Sequence, residues 1–233
     1  MNDPFGEAIR DYYTNHKAPD IKVDSNYTED ESIPVAWFFR KWNDMPAIEK
    51  KAIDLCRGNV LDVGAAAGCH ALILQEKGLQ VTALEKSEQA AEIMKKRGVK
   101  EVVVSDIYEY NKQKFDTILL LMNGAGIGGT PDGLKKLLLH LKKLLNEGGQ
   151  ILVDSSDIKY LFEEEDGSVW VDLASNKYYG EMEYEVKYKH QRLTFDWLFI
   201  DFASLQEVAR SAGLNCAFIE KGEHYDYLAK IHI

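Results

Sequence analysis

The sequence predicts an α/β fold: a doubly wound, mostly parallel seven-stranded sheet with helices on both faces, plus an antiparallel hairpin inserted late in the chain. Three observations predict it. Short apolar runs alternate with helical patterns from residue 59 to residue 153. The run 117–122 is apolar almost throughout, as expected of a central strand covered on both faces. Residues 181–189 and 193–199 instead alternate apolar and polar side chains on either side of a short polar stretch, the spacing of a hairpin.

In order, residues 1–34 are polar and read as an irregular segment or a mobile cover. Residues 33–42 are dense in aromatics, with Trp37, Phe38, Phe39 and Trp42 around Arg40. Pro46 starts a helix through Ile48, Ala52, Ile53 and Leu55 that Gly58 stops. A strand at 59–63, a helix at 69–77 ended by Gly78, and a strand at 79–84 follow. Ser87 caps a helix over 88–97 that ends at Gly98. A short strand at 102–104 ends at Asp106, and the central strand at 117–122 comes next. Thr130-Pro131 supplies a cap and a first-turn proline for a helix whose leucines fall at 134, 137, 138, 141, 144 and 145. Gly148-Gly149 ends it before a strand at 150–153. After the hairpin, a helix at 202–212 and strands near 214–219 and 225–233 close the chain. The whole reads as one domain, 1–233: an N-terminal segment 1–47, a cofactor-binding core 48–155, an insertion with the hairpin 156–201, and a C-terminal helix with two strands 202–233.

Composition narrows the function classes. A chain of 233 residues, 45% hydrophobic and 28% charged, builds a sizeable core. A formal net charge of −10 argues against binding nucleic acid through its phosphates. Cys56, Cys69 and Cys216 are odd in number and widely spaced, which suits reduced thiols of a cytoplasmic protein better than disulfides or a metal site. No signal-peptide-type segment or run of about 18 apolar residues appears, so no membrane span is expected.

The stretch Val60-Leu61-Asp62-Val63-Gly64-Ala65-Ala66-Ala67-Gly68-Cys69-His70 carries the chemistry. It reads as a strand entering a small-residue turn that opens a helix, where backbone and helix N-terminus accept a ligand at close range. A dinucleotide fingerprint needs glycine at 64, 66 and 69, and here 66 is alanine and 69 cysteine. Glu85 closes the next strand, 21 residues after Gly64, where a carboxylate can accept both hydroxyls of a ribose; Lys86 adjoins it. Asp106, followed by apolar Ile107, ends the third strand and can accept from an exocyclic amino group. Three such elements at successive strand ends describe a site for an adenosine-type cofactor.

On these residues the chain resembles the class I S-adenosylmethionine-dependent methyltransferases, most strongly over 49–154. Val60-Leu61-Asp62-Val63-Gly64 looks like the family's first motif, Glu85 like its ribose acid, and Ser105-Asp106-Ile107 like its adenine-contacting motif. Leu120-Leu121-Met122-Asn123-Gly124 looks like its fourth-strand motif, and Asn146-Glu147-Gly148-Gly149 like the turn before its fifth strand. Ala66 departs from the usual glycine. The resemblance implies S-adenosyl-L-methionine as cofactor, S-adenosyl-L-homocysteine as product, and an antiparallel last strand. It implies cofactor contacts at Asp62, Gly64, Ala65, Gly68, Glu85, Lys86, Asp106, Ile107 and Asn123. Arg40 is left between packing and clamping a carboxylate.

Methyl transfer by in-line displacement needs no metal and needs a base only for some acceptors. Asp154, Asp157 and His70 are the candidates, against the plainer readings of solvated loop acids and a packed histidine. Tyr178, Tyr179, Tyr184, Tyr188 and Trp197 either line an acceptor pocket or, the preferred reading, pack the hairpin on its own sheet. The Asn-Pro-Pro-Tyr-type signature of base and glutamine methylation is absent, since Asn123 is followed by Gly124-Ala125-Gly126. The expected partner is a small or medium organic acceptor, with the protein a monomer or homodimer. The alternatives are a nicotinamide-dependent oxidoreductase, disfavoured by the missing glycines, and a non-catalytic S-adenosylmethionine-binding regulatory protein.

Overall fold

A computed structural model describes residues 2–163 and 177–233. The helices are α1 (Pro4–Asn15), α2 (Ala47–Leu55), α3 (Cys69–Glu76), α4 (Glu88–Arg97), α5 (Pro131–Leu144) and α6 (Phe202–Ser211). The strands are β1 (Ile21–Ser25), β2 (Glu31–Ile33), β3 (Asn59–Val63), β4 (Gln80–Glu85), β5 (Glu101–Val104), β6 (Phe115–Leu120), β7 (Leu145–Ser156), β8 (Glu181–Tyr188), β9 (Gln191–Leu198), β10 (Asn215–Lys221) and β11 (Asp226–His232). None of the described helices is long and apolar enough to cross a membrane.

Seven strands form one sheet in the order β10-β11-β7-β6-β3-β4-β5. β3 pairs in parallel with β4 and β6, as do β4 with β5 and β6 with β7, whereas β11 runs antiparallel to both β7 and β10. The predicted doubly wound sheet and its antiparallel last strand are therefore present. Alternate residues of one strand serve opposite faces. Ile118, Leu120, Ile151 and Val153 pack with Leu134, Leu138, Leu141 and Leu205 of α5 and α6. Leu119 and Leu152 pack on the other side with Ile48, Ile53, Leu74 and Met94 of α2, α3 and α4. The caps read from sequence are formed: Ser87 accepts from the Ala90 N–H, Thr130 accepts from the Gly133 N–H, and Gly98 ends α4 in the left-handed region.

The N-terminal segment differs from the irregular stretch expected. Asp3 caps α1 by accepting from the Gly6 N–H, with Pro4 at the first helical position. β1 and β2 join the late hairpin in a second, wholly antiparallel sheet of order β2-β1-β8-β9. The pairing Val23↔Val186 spans most of the chain, so no local pattern announces it. The hairpin thus shares its sheet with β1. A third apolar cluster lies beneath this layer, joining Ile9, Ile21, Val23, Phe38, Val186 and Tyr188 to Ala67, Ala90 and Ile93. Ala66 and Met122 are packed against it, so the layer roofs the loops that leave β3 and β6.

β7 also runs further than expected. Asp154, read as a loop acid beyond the strand, lies inside it with its backbone paired to Leu228, and it is buried. β6 stops earlier, at Leu120, because Met122 and Asn123 both turn into the left-handed region, with φ of 64° and 60°.

Candidate active site

The parallel strands β3, β4, β5 and β6 end at one edge, where a doubly wound sheet binds its ligands. β3 leaves through Gly64, whose N–H and that of Ala65 both donate to the Leu84 carbonyl, at 2.9 and 3.1 Å. Gly64 has φ of +70°, and no heavy atom lies within 4 Å of where its Cβ would stand. The loop thus has open space beside its backbone. Gly68 is required for the opposite reason: a Cβ there would sit 2.8 Å from Val99 Cγ2. It lets the loop close onto α4 and its following turn. Ala66 takes a φ of 47°, which an L side chain enters at a cost.

Glu85 braces that loop. Its Oε2 accepts the Ala66 N–H at 2.8 Å, and Oε1 accepts those of Lys86 and Ser87 at 2.7 and 2.8 Å. Burial pushes its pKa up, while these N–H groups oppose the shift. A carboxylate offers roughly four acceptor positions, so some capacity remains. Asp106 caps the turn after β5 by accepting from the Tyr108 N–H at 3.0 Å. Lys86 Nζ is 3.5 Å from Asp106 Oδ2, with its side chain 77% exposed, and Ile107 is buried.

Around the β6 loop, Asp154 Oδ2 accepts the Met122 N–H at 3.1 Å and Oδ1 the Gly124 N–H at 2.9 Å. Burial raises its pKa to about 6 against the pull of the Gly124 and Asn123 backbone N–H groups. Asn123 accepts from the Ser155 hydroxyl at 2.8 Å and donates to the Leu198 carbonyl at 3.1 Å, tying the loop to β7 and to the hairpin. The hairpin presses close: a Cβ on Gly126 would overlap the Trp197 ring. Tyr178 and Tyr179 donate to Asp201 and Asp157 at 2.6 and 2.7 Å, and Tyr188 to Asp11 at 3.0 Å. These hydroxyls are engaged in holding the roof.

Two candidates meet at a residue that the sequence reading did not single out, Glu49 of α2. Arg40 donates to both Glu49 oxygens, at 2.7 and 3.0 Å, and His70 Nε2 lies 2.8 Å from Oε2. Burial opposes a charged His70 ring, but Cys69, Glu49 and Asp62 outweigh it and hold the pKa well above the usual range. With its Nε2 engaged by Glu49, the ring is not free to take a proton from an acceptor. The signal for Glu49 was present: an acid set among Ile48, Ala52 and Ile53 on the buried stripe of its helix.

Asp62 in β3 lies within the electrostatic influence of His70. It is 2% exposed, burial raises its pKa, and one oxygen, Oδ2, has no hydrogen-bond partner. A buried orphan oxygen is costly and is relieved by a donor. The open space at Gly64, that orphan acceptor and the spare capacity of Glu85 together suit a ligand with a cationic amino-acid end and a ribose. They do not provide the glycine-lined cradle of a pyrophosphate.

Residues 40–217 match the family described as a methyltransferase domain. The chain is similar to the crystal structure of an S-adenosylmethionine-dependent methyltransferase from Bacteroides fragilis in complex with S-adenosyl-L-homocysteine. The two are 42% identical with a TM-score of 0.93, covering 100% of this chain and 95% of that one. It is similar in fold to the CcbJ methyltransferase from Streptomyces caelestis, at 15% identity and TM-score 0.62, covering 98% and 97% of the two chains. The sugar N-methyltransferase KedS8 from Streptoalloteichus sp ATCC 53650 is likewise similar in fold, at 13% and 0.58, covering 88% and 95%. No curated protein sequence matches. With most of its length matched by one family, and 42% identity to a solved member over its whole length, the chain belongs to the class I S-adenosylmethionine-dependent methyltransferases.

Proposed function

We propose that this methyltransferase acts on a small organic acceptor, enclosed between the loop 122–129 and the roof formed by α1 and the four-stranded sheet. Family membership sets aside the nicotinamide and non-catalytic readings. The observation that carries the proposal is the roof itself. Trp197 sits against Gly126, and the layer's apolar cluster reaches Ala66 and Met122. A site covered by the chain's own layers suits a molecule that can be surrounded, and the net charge of −10 disfavours a nucleic acid.

In this reading Asp62, Gly64, Ala65 and Gly68 receive the amino-acid end of the cofactor. Glu85 and Lys86 receive the ribose, Asp106 and Ile107 the adenine, and Asn123 borders the sulfur. When bound, S-adenosylmethionine supplies a methyl group on a sulfonium. The chain's own work is alignment and exclusion of water. Gly64 leaves room beside the loop, Asp154 fixes the N–H groups of the Met122–Gly124 turn, and the roof keeps solvent from the reacting edge. Asp154 uses both oxygens as a brace, and Arg40 and His70 are engaged by Glu49, so we assign all three to support.

The test is methyl transfer from labelled cofactor into a cell extract divided into small-molecule, protein and nucleic-acid fractions. Label is expected in the small-molecule fraction. Label confined to protein or nucleic acid would overturn the proposed acceptor class.

A further inference from the structure

β6 ends at Leu120, and the chain then turns through Met122 and Asn123 with φ of 64° and 60°. Among the described residues other than glycine, no other two neighbours both enter the left-handed region. Asparagine tolerates that region, but methionine has no short polar side chain to bond its own backbone there. Such a conformation persists only where its surroundings over-determine it, and it gathers at functional sites. Here the surroundings do so. Asp154, 5% exposed in β7, accepts the Met122 N–H through Oδ2 and the Gly124 N–H through Oδ1, one on each side of Asn123. The Asn123 amide is committed to the Ser155 hydroxyl and the Leu198 carbonyl. A Cβ on Gly124 would stand 2.7 Å from the Leu120 Cβ, so the turn folds back tightly on its own strand. What this turn offers the strand-end edge is therefore its backbone.

We propose that Asp154 is a positioning residue for methyl transfer: its two oxygens hold the Met122–Asn123 turn in a left-handed shape that methionine would not keep unaided, and that shape sets the backbone beside the reacting atoms. β6 pairs with β3, so the turn leaves the sheet one strand spacing, about 4.8 Å, from the strand that feeds the Gly64 loop. A group displaced by about 1 Å at such a place can cost about 100-fold in rate. Asp154 acts through the turn and touches neither cofactor nor acceptor. The inference rests on the reading that Asn123 borders the sulfur. It goes beyond that reading, from a supporting contact to a strained turn whose shape governs turnover.

The test is a rescue experiment on the full chain. Transfer of labelled methyl from S-adenosylmethionine into the small-molecule fraction of a cell extract is measured at saturating cofactor, and S-adenosylhomocysteine affinity by calorimetry. Asp154→Asn sets an amide NH2 against one of the two N–H groups. It is expected to slow transfer about tenfold or more and to leave S-adenosylhomocysteine affinity within about threefold. Adding Met122→Gly, which takes the left-handed backbone unaided, should restore most of the lost rate. Adding Met122→Ala, which also removes the methionine side chain but keeps the backbone cost, should restore none. An unchanged rate in Asp154→Asn, rescue by both second changes or by neither, or unfolding that Met122→Gly does not reverse would overturn the positioning role. The Gly124 amide gives a readout that needs no acceptor. Its exchange with solvent should quicken in Asp154→Asn and slow again with glycine, but not alanine, at 122; any other pattern overturns the role as well. An unaltered protein that transfers no label to small molecules would strike at the acceptor class proposed above, and the Gly124 amide would still decide the role of the turn.

Discussion

At the scale of single residues, the site is built from polar groups whose partners are mostly backbone. Glu85 accepts three N–H groups and keeps spare acceptor capacity, which we propose takes the ribose. Glu85→Ala is expected to weaken S-adenosylhomocysteine by about 1.5–3 kcal/mol, the range for a hydrogen bond to a charged group. An unchanged affinity in calorimetry would remove it from the site. Asp154 gives a prediction with a definite sign. Its carboxyl ionises near 3.8 when unfolded and at about 6 when folded, so the folded state binds the proton more tightly. Its contribution to stability is present below the unfolded value and declines as pH rises through the folded one, by about 3 kcal/mol in all. Asp154→Asn does not titrate. The stability of the variant relative to the unaltered protein should therefore rise by about 2.4 kcal/mol between pH 4 and pH 7 in urea unfolding. A difference that stays flat with pH would show that the carboxyl is unperturbed. Ala66 gives a third prediction. Held at a φ of 47°, it is expected to gain up to about 1 kcal/mol on Ala66→Gly, net of the glycine's greater freedom when unfolded. Urea unfolding at pH 7 would check it.

At the scale of elements, the hairpin and the β6 loop are held against each other by a missing side chain. Gly126 admits the Trp197 ring, and Asn123 donates to Leu198 beside it. Gly126→Ala should cost about 1–3 kcal/mol by forcing β9 outward. Combined with Trp197→Ala, it should cost less than the sum of the two, because the ring it displaces is gone. Additive losses in urea unfolding would mean that the contact does not set the position of the hairpin. This contact also shows where sequence reading stops. The alternation at 182–188 announced a strand, and the small-residue loop at 64–68 with Glu85 and Asp106 marked the strand-end edge we propose for the cofactor, because local periodicity and strand-end spacing are both local signals. The pairing of β1 with β8 joins Val23 to Val186, and the ion chain joins Arg40, Glu49 and His70. Such distant partners leave only indirect traces, such as an acid on an apolar helix stripe. The capping signals of Asp3 and Pro4 were legible, but the polar composition of 1–34 masked them.

At the scale of the whole molecule, the two sheets meet across the loops that would hold the cofactor, and this ties ligand binding to the roof. Asp3 accepts from Ser87 and Gln89 beside Glu85, and its own N–H donates to Gln191 at the hairpin turn. Asp11 in α1 also accepts from Tyr188 and Lys189. One short helix thus touches both the cofactor edge and the accessory sheet. If the roof lifts as a unit, lifting exposes the Ala66 loop and releases the ligand, so bound ligand must oppose lifting. At a ligand concentration of about 100 times Kd, the opposing free energy is about 2.7 kcal/mol, which slows exchange through that opening about 100-fold. Amide exchange should therefore slow on adding S-adenosylhomocysteine over 4–15 and 181–198 as well as over 64–68. Protection confined to 64–68 would mean that the roof opens independently of the bound cofactor, and that water is excluded by the acceptor alone.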